Sequence, residues 1–159
     1  MNELLKLIEN NAKLTPAQLA VMLDKSEEEI AAAIKKYEDE GIILGRRTLI
    51  NWEAAGSENV KAIIELKVTP QRGEGFDKIA ERIYQYENVV SVWLMSGGFD
   101  IALIVEGKTM KEVAMFVAEK LSPMENVIST ATHFVLKTYK DGGTIFEAKH
   151  PDERGIMSL

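Results

Sequence analysis

Apolar positions in the first forty residues recur at three- and four-residue intervals, the spacing of one helical face. Leu4, Leu5, Leu7 and Ile8 predict a short first helix. Thr15-Pro16-Ala17-Gln18 predicts the start of a second. The Thr15 hydroxyl can accept from the backbone, Pro16 suits the first turn, and Gln18 can reach back. That helix carries Leu19, Ala20, Met22 and Leu23 and stops near Asp24-Lys25. A third helix starts at Ser26-Glu27-Glu28-Glu29, again a capping box, and runs to Glu40. Its inward face is Ile30, Ala33, Ile34 and Tyr37, and Gly41 ends it as a left-handed residue. Ile42 to Ile50 reads as a strand-like arm. Three helices on tight turns, followed by an extended arm, predict a helix-turn-helix, winged-helix-like unit.

The small, polar stretch Ala54-Ala55-Gly56-Ser57-Glu58-Asn59 marks a domain boundary, because the periodicity changes beyond it. Val60–Thr69 alternates, with Ala62, Ile64, Leu66 and Val68 on one face and Lys61, Glu65 and Lys67 on the other. A helix is expected over Phe76–Tyr86, through Phe76, Ile79, Ala80 and Ile83. Strands are expected over Val89–Ser96 and Phe99–Val105, with Gly97-Gly98 as the hairpin turn. Thr109-Met110-Lys111-Glu112 caps a helix bearing Val113, Phe116, Val117 and Leu121. A long strand, Val127–Tyr139, follows, and Thr144-Ile145-Phe146 adds a short one. Glu87-Asn88-Val89-Val90-Ser91 recurs as Glu125-Asn126-Val127-Ile128-Ser129, an offset of 38 that also carries Ile63 onto Ile101, Leu66 onto Ile104 and Phe76 onto Ala114. Two strand-helix-strand halves in tandem predict a ferredoxin-like βαββαβ domain, so the fold class is α+β. The expected segments are residues 1–44, a linking strand and hinge over 45–59, the ferredoxin-like domain over 60–140, and a tail over 141–159.

Composition narrows the chemistry. The 159 residues contain no cysteine, which excludes disulfides, iron–sulfur ligation and thiolate zinc sites. No apolar run approaches the roughly 20 residues of a membrane span. The start Met1-Asn2-Glu3-Leu4-Leu5-Lys6 lacks a basic leader, so a cytoplasmic protein without membrane contact is expected. No HExxH, GxSxG, Walker or GxGxxG pattern occurs, and no metal or cofactor is expected. His133, in the last strand, reads as a structural histidine, and His150 lies 17 residues on. Asp100 stands out as a charge one residue into an apolar strand. It either stabilises the turn through nearby backbone N–H groups or presents a carboxylate at a binding crevice.

The helix-turn-helix plan sends the second helix of the motif into a DNA groove. Glu27, Glu28, Ala31, Ala32, Lys35 and Lys36 point outward there, and Arg46 and Arg47 lie on the following arm. Lys35, Lys36, Arg46 and Arg47 can reach phosphates, while Ala31 and Ala32 sit near base edges. Charge works against this: the whole chain has net charge −6, and residues 1–56 hold seven Lys/Arg against ten Asp/Glu. Since phosphate contacts dominate DNA affinity, a single copy should bind weakly.

Across almost its whole length the chain resembles the Lrp/AsnC (leucine-responsive/asparagine-type) transcriptional regulators. Ser26, Ile30, Ile34, Glu38, Gly41, Ile42 and Ile43 fit that family's recognition-helix pattern, and Gly45 to Asn51 continues it. Ser96-Gly97-Gly98-Phe99-Asp100 is similar to its Gly-x-aromatic-Asp hairpin, and Thr130, Thr132 and Val135 to its last strand. Ala33 and Glu29 depart from it, standing where Arg and Thr are usual. The resemblance implies a regulator binding double-stranded promoter DNA through Ser26, Glu27, Ala31, Ala32, Lys35, Lys36, Arg46 and Arg47. It also implies an amino acid or small metabolite effector held near Ser96, Gly97, Gly98, Phe99, Asp100, Thr130 and Thr132. The assembly implied is a homodimer through the effector sheets, where Val92, Trp93 and Leu94 supply contact area, often built up to an octamer. A sensor of the same fold with weak or lost DNA binding is the alternative. Some chains of this architecture also resemble sirohaem decarboxylases, for which His133 and a few Lys/Arg would have to serve.

Overall fold

A computed structural model describes residues 3–70 and 75–146. The chain divides into two compact units, one ending at Ile50 and one beginning at Asn51. His150 and the tail beyond Phe146 lie outside the described residues.

The first unit is three helices: α1 (Glu3–Asn10), α2 (Pro16–Leu23) and α3 (Glu27–Asp39). Local chemistry sets both inner starts. Gln18 donates its N–H to the Thr15 hydroxyl at 3.2 Å, and Thr15 donates its own to the Gln18 side chain at 2.9 Å. Ser26 and Glu29 repeat the exchange at 3.1 and 3.0 Å. Asp24 ends α2 in the left-handed region at φ 52°, which fixes the tight turn into α3. Gly41, at φ 68°, ends the third helix as its sequence predicts. Leu4, Leu19, Ala20, Ile30 and Ile34 form the core, with Leu7, Ala33 and Tyr37 packed against it.

The arm after Gly41 differs from expectation. Residues 44–50 form no strand, and Leu44 is 92% exposed. An apolar extended segment becomes a strand only when a neighbour takes its backbone groups, and these residues have no ladder partner among those described.

The second unit carries a four-stranded antiparallel sheet of order β2-β3-β1-β4, from β1 (Val60–Val68), β2 (Val89–Leu94), β3 (Ile101–Gly107) and β4 (Val127–Phe134). Helices α4 (Asp77–Ile83) and α5 (Met110–Phe116) supply Ile79, Ile83 and Val113 to one face, where Ala62, Ile64, Leu66, Ile101, Leu103 and Val105 are buried. This is the expected ferredoxin-like unit, with shorter elements. β4 stops at Phe134 rather than Tyr139, because β1 ends its pairing there. The predicted Thr144–Phe146 strand is β6 (Thr144–Ile145), which pairs with β5 (Lys140–Asp141). Their connection is Gly142-Gly143 at φ 50° and 80°, and two successive positive φ values are what a two-residue hairpin demands. Gly97-Gly98, where that turn was expected, is part of a wider loop. Residues 95–100 connect β2 to β3, and neither glycine has positive φ.

The repeat is also corrected. Asn88 and Asn126 play matching parts: the Asn88 carbonyl accepts from Glu106 N–H, and the Asn126 carbonyl from Thr69 N–H, both at 2.9 Å. An offset of 38 fails for the first strands, however, since it sets half-exposed Ile63 on buried Ile101. A one-residue slip exchanges the faces of a strand. Ile64, Leu66 and Val68 match Ile101, Leu103 and Val105 at an offset of 37, as Phe76 matches Val113, whereas Ile79 and Ile83 match Val117 and Leu121 at 38. The added residue falls where α5 passes into a π-helical turn, Val117–Leu121, closed by Ser122 N–H to the Val117 carbonyl at 2.8 Å. A π turn is how a helix absorbs one extra residue.

Candidate functional site

Sequence places two candidate sites, one on each unit. On the first, Ser26 is committed to its capping role, and Glu27, Ala31, Ala32, Lys35, Lys36, Arg46 and Arg47 are all exposed. They do not form one cluster. Ala31, Lys35 and Arg46 line a concavity of about 390 Å³ together with Ala12, Leu14, Pro16, Ile34 and Glu38. Lys36 lies off that face and meets Glu40 at 3.8 Å. Arg46 meets Glu38 at 3.3 Å. Lys35 and Arg47 have no acidic partner within ion-pair distance among the described residues. The four cations therefore fall into two kinds, two matched by their own acids and two open. Neither pairing is anticipated from sequence, although the i,i+4 spacing of Lys36 and Glu40 is a signal that could have found theirs. That of Arg46 depends on the path of the arm and had no sequence signal.

Glu29 carries a further consequence. The backbone N–H of Ser26, the charge of Lys25 and the Ser26 hydroxyl hold its carboxyl below the ordinary carboxylate value. A depressed folded value means that this contribution is present above the unfolded pKa and is lost as pH falls through the folded one. The thermal midpoint of the protein should thus fall on acidification from about pH 6 to pH 3, and Glu29→Gln should flatten part of that fall. Melts followed by circular dichroism would show it; superimposable pH profiles would remove Glu29 from the account.

On the second unit the β2–β3 connection is closed by Met95 N–H to the Asp100 carbonyl at 2.8 Å. Asp100 also donates its N–H to the Leu66 carbonyl at 2.9 Å, and its Oδ2 accepts from Val68 N–H at 2.8 Å. Of the two readings of Asp100, the structural one thus describes one carboxylate oxygen. It takes over from the β1–β3 ladder, which ends at Leu66–Ile101, and satisfies an N–H on a residue only 4% exposed. Oδ1 accepts no hydrogen bond among the described residues. Ser96, Gly97 and Gly98 are exposed and Phe99 half-buried. A Cβ on either glycine would meet nothing within 4 Å, so the loop backbone is open to approach. Thr130 pairs with Leu66 and Thr132 with Ile64 on the far side of β1. Thr130 shares the hairpin's end of the sheet, roughly 10 Å away across two strand spacings, and Thr132 lies further along. Both occupy the helix-facing side of an edge strand and are half-buried.

On the opposite face of the sheet, no helix of this unit packs among the described residues. Ile63 and Trp93 lie on it, 42% and 47% exposed, beside Ala102 and Ile104. Lys61 pairs with Glu106 across it at 3.4 Å, and His133 Nε2 lies 3.4 Å from the Glu65 carboxylate. Of the residues expected to supply contact area, Trp93 is on this face. Val92 pairs with Leu103 and turns to the helices, and Leu94 shares that side but stands beyond their cover.

Comparison with known proteins matches both units. Residues 2–43 match the family described as winged helix-turn-helix DNA-binding, and residues 61–145 that of the Lrp/AsnC ligand binding domain. The HTH-type transcriptional regulator YugG of Bacillus subtilis is 41% identical over 157 residues, covering 98% of this chain and 95% of that protein. The leucine-responsive regulatory protein of Rhizobium meliloti is 26% identical, covering 87% of this chain and 88% of its own. Among solved structures, the transcriptional regulator NMB0573 of Neisseria meningitidis, in complex with L-methionine, is similar in fold. It has a TM-score of 0.71 at 21% identity, covering 89% of this chain and 93% of that one.

Proposed function

Since the chain belongs to the Lrp/AsnC family of transcriptional regulators, we propose that it binds promoter DNA through α3 and its arm, and that an amino acid bound at the β2–β3 hairpin tunes that binding. The observation that carries this is the division of labour between the units. One holds a reading helix started by a capping box, with two cations, Lys35 and Arg47, that meet no acid among the described residues. The other holds an open glycine loop next to the Asp100 carboxylate, whose Oδ1 accepts no hydrogen bond among the described residues. That oxygen would take an α-ammonium, and the loop N–H groups would take an α-carboxylate. The solved NMB0573 complex holds L-methionine, an amino acid of the class this geometry suits.

Two copies joined through the sheet face opposite α4 and α5 would bury Ile63, Trp93 and Ile104, place two reading helices on one duplex, and offset the weak charge of each. No described helix is long and apolar enough to cross a membrane, and the protein is proposed to work in the cytoplasm. The Lys36–Glu40 and Arg46–Glu38 pairs favour the second reading, a sensor of this fold that has given up tight DNA binding.

Fluorescence anisotropy separates the two. The intact protein is titrated onto its own upstream DNA and a scrambled duplex at two salt concentrations, with and without an amino-acid mixture. Preferential, salt-sensitive binding altered by the mixture supports a ligand-tuned regulator. An assembled oligomer that binds neither duplex at low salt supports the sensor.

A further inference from the structure

A reading helix is defined by what its outward groups can exchange with base edges. On α3 the side away from Ile30, Ile34 and Tyr37 carries Glu28, Ala31, Ala32 and Lys35, spaced i, i+3, i+4 and i+7, and all four are exposed. Glu27 flanks the core instead, in line with Ile30 and Ile34. The carboxylate of Glu29 is occupied by the N–H of Ser26. The outward positions of the first two turns therefore offer one free carboxylate and two methyl groups, with no Arg, Lys, Asn or Gln among them. The first outward donor, Lys35, lies about 10 Å further along the axis.

This inventory restricts what can be read. Guanine presents only acceptors in the major groove and repels a carboxylate, and thymine offers an acceptor and a methyl. Adenine sets its acceptor N7 beside its amine, whereas cytosine presents the N4 amine alone. A carboxylate entering this groove is repelled by the phosphates and is compensated best at cytosine. Alanine methyls, in turn, pack on the C5-methyl of thymine.

We propose that Glu28 is a specificity-determining residue that selects cytosine, with Ala31 and Ala32 selecting neighbouring thymine, so that each half-site presents a cytosine- and thymine-containing strand to α3. The inference rests on the DNA-binding reading above and deepens it. A glutamate is usually an obstacle on a DNA-binding surface; here it is the element of choice, at a cost in overall affinity.

The test is selection of sites from a random duplex library by the intact protein and by its Glu28→Gln variant, a change of one atom on an exposed side chain. The wild type should enrich a cytosine in each half-site beside thymine. Glu28→Gln should lose that cytosine preference by about tenfold or more and gain adenine, which glutamine takes bidentately. Its affinity for random DNA should rise, since a negative charge is gone. Replacing the selected thymines by deoxyuridine, which removes only the methyl, should weaken wild-type binding several-fold. A motif unchanged by Glu28→Gln, guanine at the selected position, or salt-sensitive but sequence-blind binding would each overturn the readout while leaving DNA binding intact. Absence of any binding at low salt would instead overturn the reading beneath it.

Discussion

A Lys35→Ala/Arg47→Ala protein should bind its operator at least about 100-fold more weakly, with a salt dependence shallower by about 2 per reading unit. Each charge-assisted contact to phosphate is worth about 1.5–3 kcal/mol, and each cation that releases a counterion adds about 0.9 to the slope. The choice of these two residues comes from the ion pairs. Lys36 and Arg46 already sit with Glu40 and Glu38 at 3.8 and 3.3 Å, so an incoming phosphate meets a compensated charge there. Exposed pairs of this kind are weak and can rearrange. Even so, the gain from recruiting their cations is reduced by the carboxylate left behind. A Lys36→Ala/Arg46→Ala protein should accordingly lose less affinity and less slope than the first double variant. Titrations at four or five salt concentrations decide it. Equal losses in both variants would mean that the pairs dissolve on DNA, and no loss in the first would place the phosphate contacts elsewhere.

The second large effect centres on Asp100, where two substitutions separate holding the fold from meeting a ligand. Asp100→Ala leaves the buried Val68 N–H without its acceptor, which costs about 1–3 kcal/mol and lowers the thermal midpoint by several degrees. Asp100→Asn keeps an oxygen that can accept from Val68 but removes the negative charge. Its stability should stay close to wild type, while the rise in thermal midpoint on adding an amino-acid mixture should vanish. Wild-type stabilisation by the mixture follows from any ligand that binds only the folded state. Thermal melts of the three proteins, with and without the mixture, give the answer. A full ligand response in Asp100→Asn would confine Asp100 to the fold.

What could be read in advance follows the range of the interactions concerned. Both capping boxes were legible because Thr15 with Gln18, and Ser26 with Glu29, are three residues apart. The buried faces of α3 and β1 were legible because helix and strand periods imprint directly on sequence. The arm from Leu44 to Ile50 was misread because a strand is made by its neighbour as much as by its own residues. Gly97-Gly98 and Gly142-Gly143 look alike in sequence; only the second pair adopts positive φ, because its flanking residues, Asp141 and Thr144, pair directly. For the candidate site, sequence named the exposed residues but not their partners. That Asp100 caps Val68, 32 residues away, and that Glu38 takes Arg46 follow from the course of the chain in space.

The π turn at Val117–Leu121 has a bearing on how this sheet unit can be rebuilt. Its two halves are related as an original and a copy lengthened by one residue, and the surplus is stored inside a helix instead of a surface loop. Neither half can stand in for the other as a cassette: two copies of the first would be a residue shorter, and two of the second would carry the surplus twice. A symmetric redesign must first excise one position between Val113 and Val117, where the offset changes from 37 to 38, before the cores of the two halves can be exchanged.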